Sequence, residues 1–157
     1  MKRAIVYYSL SDNTKEAAEY LGGKMGVDVF RIEPVKPMPD TFNKQILVGG
    51  MQSSFGLSPA IKGVPENISE YDEIIVGAPI WAGKAAAPIN TLIKKYKIAD
   101  KITAVFTFSG GGDNDKCIEA LSKKLSNLKV NVALADRSNA AAENNTSKLD
   151  EFAEKIG

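Results

Sequence analysis

Three short stretches of this chain concentrate residues able to hold or orient a ligand. Ser9-Leu10-Ser11-Asp12-Asn13-Thr14 puts five hydrogen-bonding side chains into six positions just ahead of a helical pattern. Hydroxyls and an amide spaced in this way, beside the free N–H groups of a helix N-terminus, can cradle a phosphate dianion without a lysine or a metal. The same residue types are the favoured helix caps, although one cap needs only one of them. Pro79-Ile80-Trp81-Ala82-Gly83-Lys84 holds the only tryptophan. Its indole can wall a slot for a planar ring or cover one end of the core, and Gly83 admits backbone geometries closed to other residues. Ser109-Gly110-Gly111-Gly112-Asp113-Asn114 offers bare backbone. That stretch is either a flexible connection or a strip of N–H donors that a flat ligand can approach closely.

What is missing narrows the chemistry. The chain has no histidine, so Ser-His-Asp and Cys-His nucleophilic arrangements and the usual His-bearing zinc sites are excluded. Its one cysteine, Cys117, can form neither an internal disulfide nor a CxxC redox pair. The phosphate-binding patterns GxxxxGK[ST] and GxGxxG are not found after the first apolar run; Gly110 to Gly112 follow a later one, with Asp115 where a third fingerprint glycine would stand. Lys and Arg number 20 against 19 Asp and Glu, a net charge of +1 that supplies no field for nucleic acid. No apolar run reaches the roughly 18 residues needed to span a bilayer. The start, MKRAIVYYSLSDNT, reads as a strand rather than a signal peptide, so a cytoplasmic protein without membrane or nucleic-acid partners is expected.

The elements that must position the three stretches follow from hydrophobic periodicity. A length of 157 residues points to one domain covering 1–157. Ala4–Tyr8, Ile74–Ala78 and Ile102–Phe108 are apolar runs of buried-strand type, whereas Val27–Ile32 and Val130–Leu134 alternate with polar residues as edge strands do. Helical stripes lie between them: Ala17, Leu21 and Met25; Ile89, Leu92, Ile93 and Tyr96 after Pro88; Cys117, Ile118, Leu121 and Leu125; and Leu149, Phe152, Ala153 and Ile156. The stretch from Glu33 to Asp72 is punctuated by Pro34, Pro37, Pro39, Gly63 and Pro65. Phe42, Ile46, Leu47 and Met51 predict one helix there, with Asp40 as N-cap. Regular alternation of strand and helix requires crossovers, hence an α/β three-layer α-β-α sandwich on a five-stranded parallel sheet. Two half-exposed strands at the edges give the order 2-1-3-4-5, in which ligands bind beyond the carboxyl ends of the strands. All three stretches fall at that rim.

These motifs, in this order and spacing, resemble the flavodoxin family over essentially the whole chain. Ser9-Leu10-Ser11-Asp12-Asn13-Thr14 is similar to the family's (S/T)-x-(S/T)-G-(N/K)-T phosphate loop, YDEIIVGAPIWAGKAAAPI to its third strand and flavin-stacking loop, and FTFSGGGDND to the loop at the flavin's pyrimidine edge. The resemblance implies non-covalent FMN. Ser9, Ser11, Asn13 and Thr14 would hold the phosphate, and Trp81 would flank the isoalloxazine. Backbone groups of the second and third stretches would meet the ring's polar edge. It also implies a peptide flip at Gly83 or Ala82 on reduction. Three features depart from the family: Asp12 stands at the loop glycine, the third stretch lacks a second stacking aromatic, and the chain is not acidic.

The implied function is a flavodoxin shuttling low-potential electrons between redox enzymes, as a monomer or weak dimer. The alternative is an FMN-dependent NAD(P)H:quinone-type oxidoreductase, towards which the open flavin face and the neutral charge lean. Lys84, if it faced the ring, would make the second electron easier to add by on the order of 1 kcal/mol. A phosphorylation receiver on the same strand order is excluded, because it needs acidic residues where Tyr7-Tyr8-Ser9 and Ala78 stand.

Overall fold

The computed structural model describes residues 1–157. Five parallel strands run in the order β2-β1-β5-β7-β8: β1 is Arg3–Tyr7, β2 Asp28–Arg31, β5 Glu73–Trp81, β7 Ile102–Ser109 and β8 Val130–Ala135. The expected 2-1-3-4-5 order therefore holds, with the two alternating sequences at the edges. Side chains change face at every residue along a strand, and this divides the core into two. Ala4, Val6, Ile74, Val76 and Val105 point to one face, where α3 (Pro88–Tyr96) and α4 (Asp115–Ser122) bring Ile89, Leu92, Cys117 and Leu121. Ile5, Tyr7, Ile75 and Phe106 point to the other, against Leu21 of α1 (Asn13–Met25) and Leu149 and Phe152 of α5 (Asn145–Ile156). Gly77 in β5 leaves the space that the Phe106 ring fills, since a Cβ there would overlap the ring.

Several expectations need correction. The apolar run Ile74–Ala78 is only part of the third strand, which continues through Pro79, Ile80 and Trp81 and turns back into β6 (Lys84–Ala85), pairing Trp81 with Lys84 and Ile80 with Ala85. Pro79 to Lys84 is thus a β-hairpin tip rather than an open loop. The helix expected around Phe42 is present as α2 (Phe42–Ser54), but Thr41, not Asp40, occupies its N-cap position. Short pieces escaped the sequence reading: a two-stranded ladder of β3 (Glu33–Pro34) with β4 (Ile61–Lys62), and 3₁₀ turns at Glu66–Glu70 and Ala140–Asn144. Two paired residues carry no periodicity to detect. Leu125 is buried but lies beyond the end of α4. No helix is long and apolar enough to cross a membrane.

Candidate functional site

The loop after β1 begins with Ser9, buried although polar, whose Oγ accepts a hydrogen bond from the Lys15 N–H at 3.2 Å. That bond ties the loop to the first turn of α1, leaving the N–H groups of Asn13 and Thr14 without intrahelical acceptors. Thr14, in the first turn of α1, is only 1% exposed. Asp12 makes the turn in the left-handed region, at φ 65° and ψ −5°, where a glycine would be unstrained. Its carboxylate is not a side-chain cap; it lies 3.9 Å from the Arg31 guanidinium at the end of β2. Arg31 also donates to the carbonyl of Ser9 at 3.1 Å, so a cation braces the loop from behind.

A second brace comes from the segment after β8. Arg137 Nε donates to Asn13 Oδ1 at 3.0 Å while its Nη2 pairs with Glu16 at 2.9 Å. The Asn13 amide is thereby oriented with Nδ2 towards Ser11 Oγ (3.4 Å) and the Asp136 carboxylate (3.5 Å). Arg31, Asp136 and Arg137 were absent from the sequence-derived site. Their signal was available: each follows or ends a strand at the same rim, and strand order makes β2 and β8 close that rim on either side.

The hairpin tip supplies the adjoining wall. Ala82 and Gly83 have φ of 50° and 77°, the pair of positive values that a two-residue type I′ turn demands. Alanine in this region is strained by about 1 kcal/mol, so the tip is held by its ladder rather than by local preference. Trp81 meets Tyr8 edge-on, with ring centroids 5.4 Å apart and planes at 85°. One face of its indole is covered by α2: a Cβ at Gly49 would come within 3.1 Å of the six-membered ring, so glycine permits that approach. Burial pushes the Tyr8 phenol up to about 12 and the Cys117 thiol up to about 11, so both are neutral at physiological pH.

The third segment is less free than its glycines imply. Ser109 Oγ accepts from the Gly112 N–H at 2.9 Å, Gly112 has φ 79°, and the Asp113 carboxylate accepts from the Asp115 N–H at 3.0 Å. Asn114 turns inward, donating to Thr107 Oγ1 at 3.1 Å. Gly110 and Gly111 have open space where a side chain would be.

A cleft of about 470 Å³ lies among these parts. Of the residues singled out from the sequence, Leu10, Ser11, Pro79, Ile80, Trp81, Ala82, Ser109 and Gly110 line it. Ser9, Asp12, Asn13 and Thr14 form the bend beside it, while Gly83, Lys84, Gly111, Gly112 and Asp113 lie outside the lining, with Lys84 exposed. Phe42, Gln45, Ile46 and Gly50 of α2, together with Phe108 and Asp136, complete the wall, and sequence reasoning had missed them as site residues. No three His, Cys, Asp or Glu side chains gather into a metal-ligand set. The arrangement is an apolar slot for a flat group, opening onto a bend suited to an anion.

The family model described as Flavodoxin matches residues 2–146. The chain belongs to the flavodoxin family. A candidate flavoprotein from Bacteroides eggerthii has a solved structure that superposes with a TM-score of 0.77 at 28% identity, covering 97% of this chain and 98% of that one. A flavoprotein from Lactobacillus acidophilus, solved in complex with FMN, gives 0.72 at 25% identity, with the same shares covered. A flavodoxin from the domain Archaea, 19% identical over 99% of both chains, gives 0.53 and speaks for the fold alone. No curated protein matches. Within this flavodoxin-family chain the cleft and the Ser9–Thr14 bend lie beyond the carboxyl ends of β1, β5 and β7, beside the β1–β5 switch point.

Proposed function

We propose that the chain binds FMN non-covalently and carries electrons between larger redox proteins in the cytoplasm. One observation carries the reading: three strand ends wall a single apolar cleft, and that cleft opens onto a bend of hydroxyls and free helix N–H groups. The residues suit the group. Ser9, Ser11, Asn13 and Thr14, with the N–H groups of the first turn of α1, would hold the phosphate. Pro79, Ile80, Trp81 and Ala82 would line the ring's flank, and Ser109, Gly110 and Gly111 would offer backbone to its polar edge. A volume of about 470 Å³ lies within the range of roughly 300–1,000 Å³ usual for small-molecule clefts. The FMN seen in the Lactobacillus acidophilus relative supports the same choice.

When bound, FMN supplies the one- and two-electron redox chemistry. The chain's own residues position and insulate. Cys117 is buried and neutral, Tyr8 keeps its proton, and no histidine is available, so the described groups orient a ligand rather than trade protons with it. Phe42 and Ile46 of α2 line the outer side of the cleft and stand largely exposed.

Those same two side chains favour a second reading, a reductase passing electrons from NAD(P)H to a planar apolar acceptor such as a quinone. Both stand at the outer side of the cleft, an exposed apolar surface against which a planar acceptor can pack. Titration of the purified protein with FMN and with riboflavin, following Trp81 fluorescence and heat, tests the binding reading. Saturable one-to-one quenching, tighter for FMN than for riboflavin, is expected; indifference to FMN in excess would end it. Adding NADPH anaerobically to the flavin-loaded protein separates the two functions: the carrier leaves NADPH unoxidised, whereas the reductase consumes it.

A further inference from the structure

Two walls of the cleft, α2 and the hairpin tip, touch where Gly49 meets the Trp81 indole. A Cβ built at Gly49 would stand 3.1 Å from both Cδ2 and Cε3 of that ring and 3.4 Å from Cε2. Three similar distances to neighbouring ring atoms put the helix over the flat side of the indole, closer than a side chain normally allows. The ring is also in edge-to-face contact with Tyr8, which is buried. Glycine is otherwise a poor choice in the middle of a 13-residue helix, because it costs backbone entropy there. α2 carries two in succession, and they differ. A Cβ on Gly50 would meet open space, whereas Gly49 is buried and its missing side chain is what seats α2 on the ring.

We propose that Gly49 is a positioning residue: its contact with Trp81 sets the spacing of α2 from the hairpin tip, and so the width of the slot that takes a flat ring. Gly49 and Ser53 are the only buried residues of α2, so little else holds the helix at this distance. Ile80 and Trp81 belong to one wall of the cleft, Phe42 and Ile46 to the other. A methyl group at position 49 moves either the indole towards the cleft it lines or the helix away from the indole, by a few tenths of an ångström. Both movements cost a ring-shaped ligand dispersion energy, which falls on either side of the optimal separation. The Ser9–Thr14 bend, carried by β1 and α1, is untouched. Recognition of the ring is therefore tuned at Gly49 and Trp81, and recognition of the phosphate at the bend. This role rests on the reading of the cleft as a flavin site.

Calorimetric titration of the parent, Gly49→Ala, Trp81→Phe and the double variant with FMN, riboflavin and lumiflavin tests it, since the three ligands share a ring and differ in the tail. Gly49→Ala should weaken all three by about three- to tenfold and leave the ratio of FMN to riboflavin affinity at the parent value. Trp81→Phe removes the ring atoms that the methyl meets, so in that background Gly49→Ala should change affinity by less than about twofold. Trp81 is the only tryptophan, and its emission in the ligand-free protein should shift to the red in Gly49→Ala while the helical circular dichroism is kept. If Gly49→Ala fails to fold, the double variant should recover the helical signal, and failure to do so counts against the contact. An unaltered emission or an unaltered lumiflavin affinity overturns the proposal. So does a loss confined to FMN, which would place the effect at the phosphate, or an equal loss in the Trp81→Phe background, which would show α2 acting without the ring. A parent that binds none of the three ligands refutes the flavin reading and this role with it; a parent that binds them beside an indifferent Gly49→Ala refutes this role alone.

Discussion

Asp12 offers a test in which backbone strain and charge can be separated. It holds a left-handed conformation at φ 65°, and its carboxylate, 62% exposed, sits on the bend assigned to a phosphate. Replacing it with glycine relieves about 1–2 kcal/mol of left-handed strain and returns about 0.4–1 kcal/mol through the freer unfolded chain. The net gain of about 0.5–1 kcal/mol should raise the midpoint of thermal unfolding by about 1–4 °C in a chain of this size. Asn tolerates the same backbone, so Asp12→Asn should leave the midpoint nearly unchanged and report charge alone. A carboxylate on the same bend as a phosphate dianion repels it by on the order of 1 kcal/mol at the dielectric of water. Arg31, 3.9 Å from that carboxylate, already offsets part of this, leaving about 0.5–1 kcal/mol, or a two- to fivefold gain in FMN affinity for Asp12→Asn. Calorimetric titration at low and high salt, with FMN and with phosphate-free riboflavin, is the assay. The gain should shrink as salt rises and vanish for riboflavin. Equal affinity of parent and Asp12→Asn for FMN at low salt, or an equal gain with riboflavin, would refute the assignment of this bend to the phosphate.

Gly77→Ala should destabilise the fold by about 1–3 kcal/mol, because the added methyl overlaps the fully buried Phe106 ring between β5 and β7; an unchanged unfolding midpoint would contradict the packing described. Tyr8 titrates near 12 in the folded chain, because burial disfavours the phenolate, against 10.0 for the ordinary phenol. A raised folded value stabilises fully below pH 10 and is lost as pH climbs towards 12, so stability should fall across that window and fall less in Tyr8→Phe when followed by denaturant titration. Gly83→Val places a β-branched residue at φ 77°, which should lower the unfolding midpoint and, in the flavin-loaded protein, shift the reduction potential. A potential that stays put while stability drops would leave the hairpin tip with a structural role only.

How far the sequence could be read depends on where the ordering forces come from. The three central strands declared themselves because burial on two faces demands runs such as Ala4–Tyr7 and Ile102–Phe108, the two edge strands because they alternate, and a parallel sheet admits few strand orders. The Ser9–Thr14 bend was legible because five hydrogen-bonding side chains exceed what a single cap consumes. The hairpin at Ala82 and Gly83 was not, since alanine is a poor advertisement for a left-handed turn and only its pairing with β6 holds it there. α2 was placed along the chain correctly, yet its apolar residues are solvent-facing, because periodicity finds a stripe without saying which side the protein lies on. Asp136 and Arg137 reach the bend from the end of β8, so the strand order places them at the rim, but no local pattern encodes their contacts with Asn13 across more than 120 positions.

Charge at the rim is arranged in opposed pairs rather than as a field. Asp12 faces Arg31, and Arg137 spans Glu16 and Asn13, whose amide in turn approaches Asp136. Each cation is thus already engaged by a carboxylate and by a neutral loop atom, and neither points alone into the bend. What remains for an anion is directional: the hydroxyls of Ser9, Ser11 and Thr14, the Asn13 amide, and the unbonded N–H groups of the first turn of α1. Binding built on such dipoles depends on geometry held by Arg31 and Arg137 at the back of the loop. It fits a chain whose net charge is only +1 better than an electrostatic funnel would.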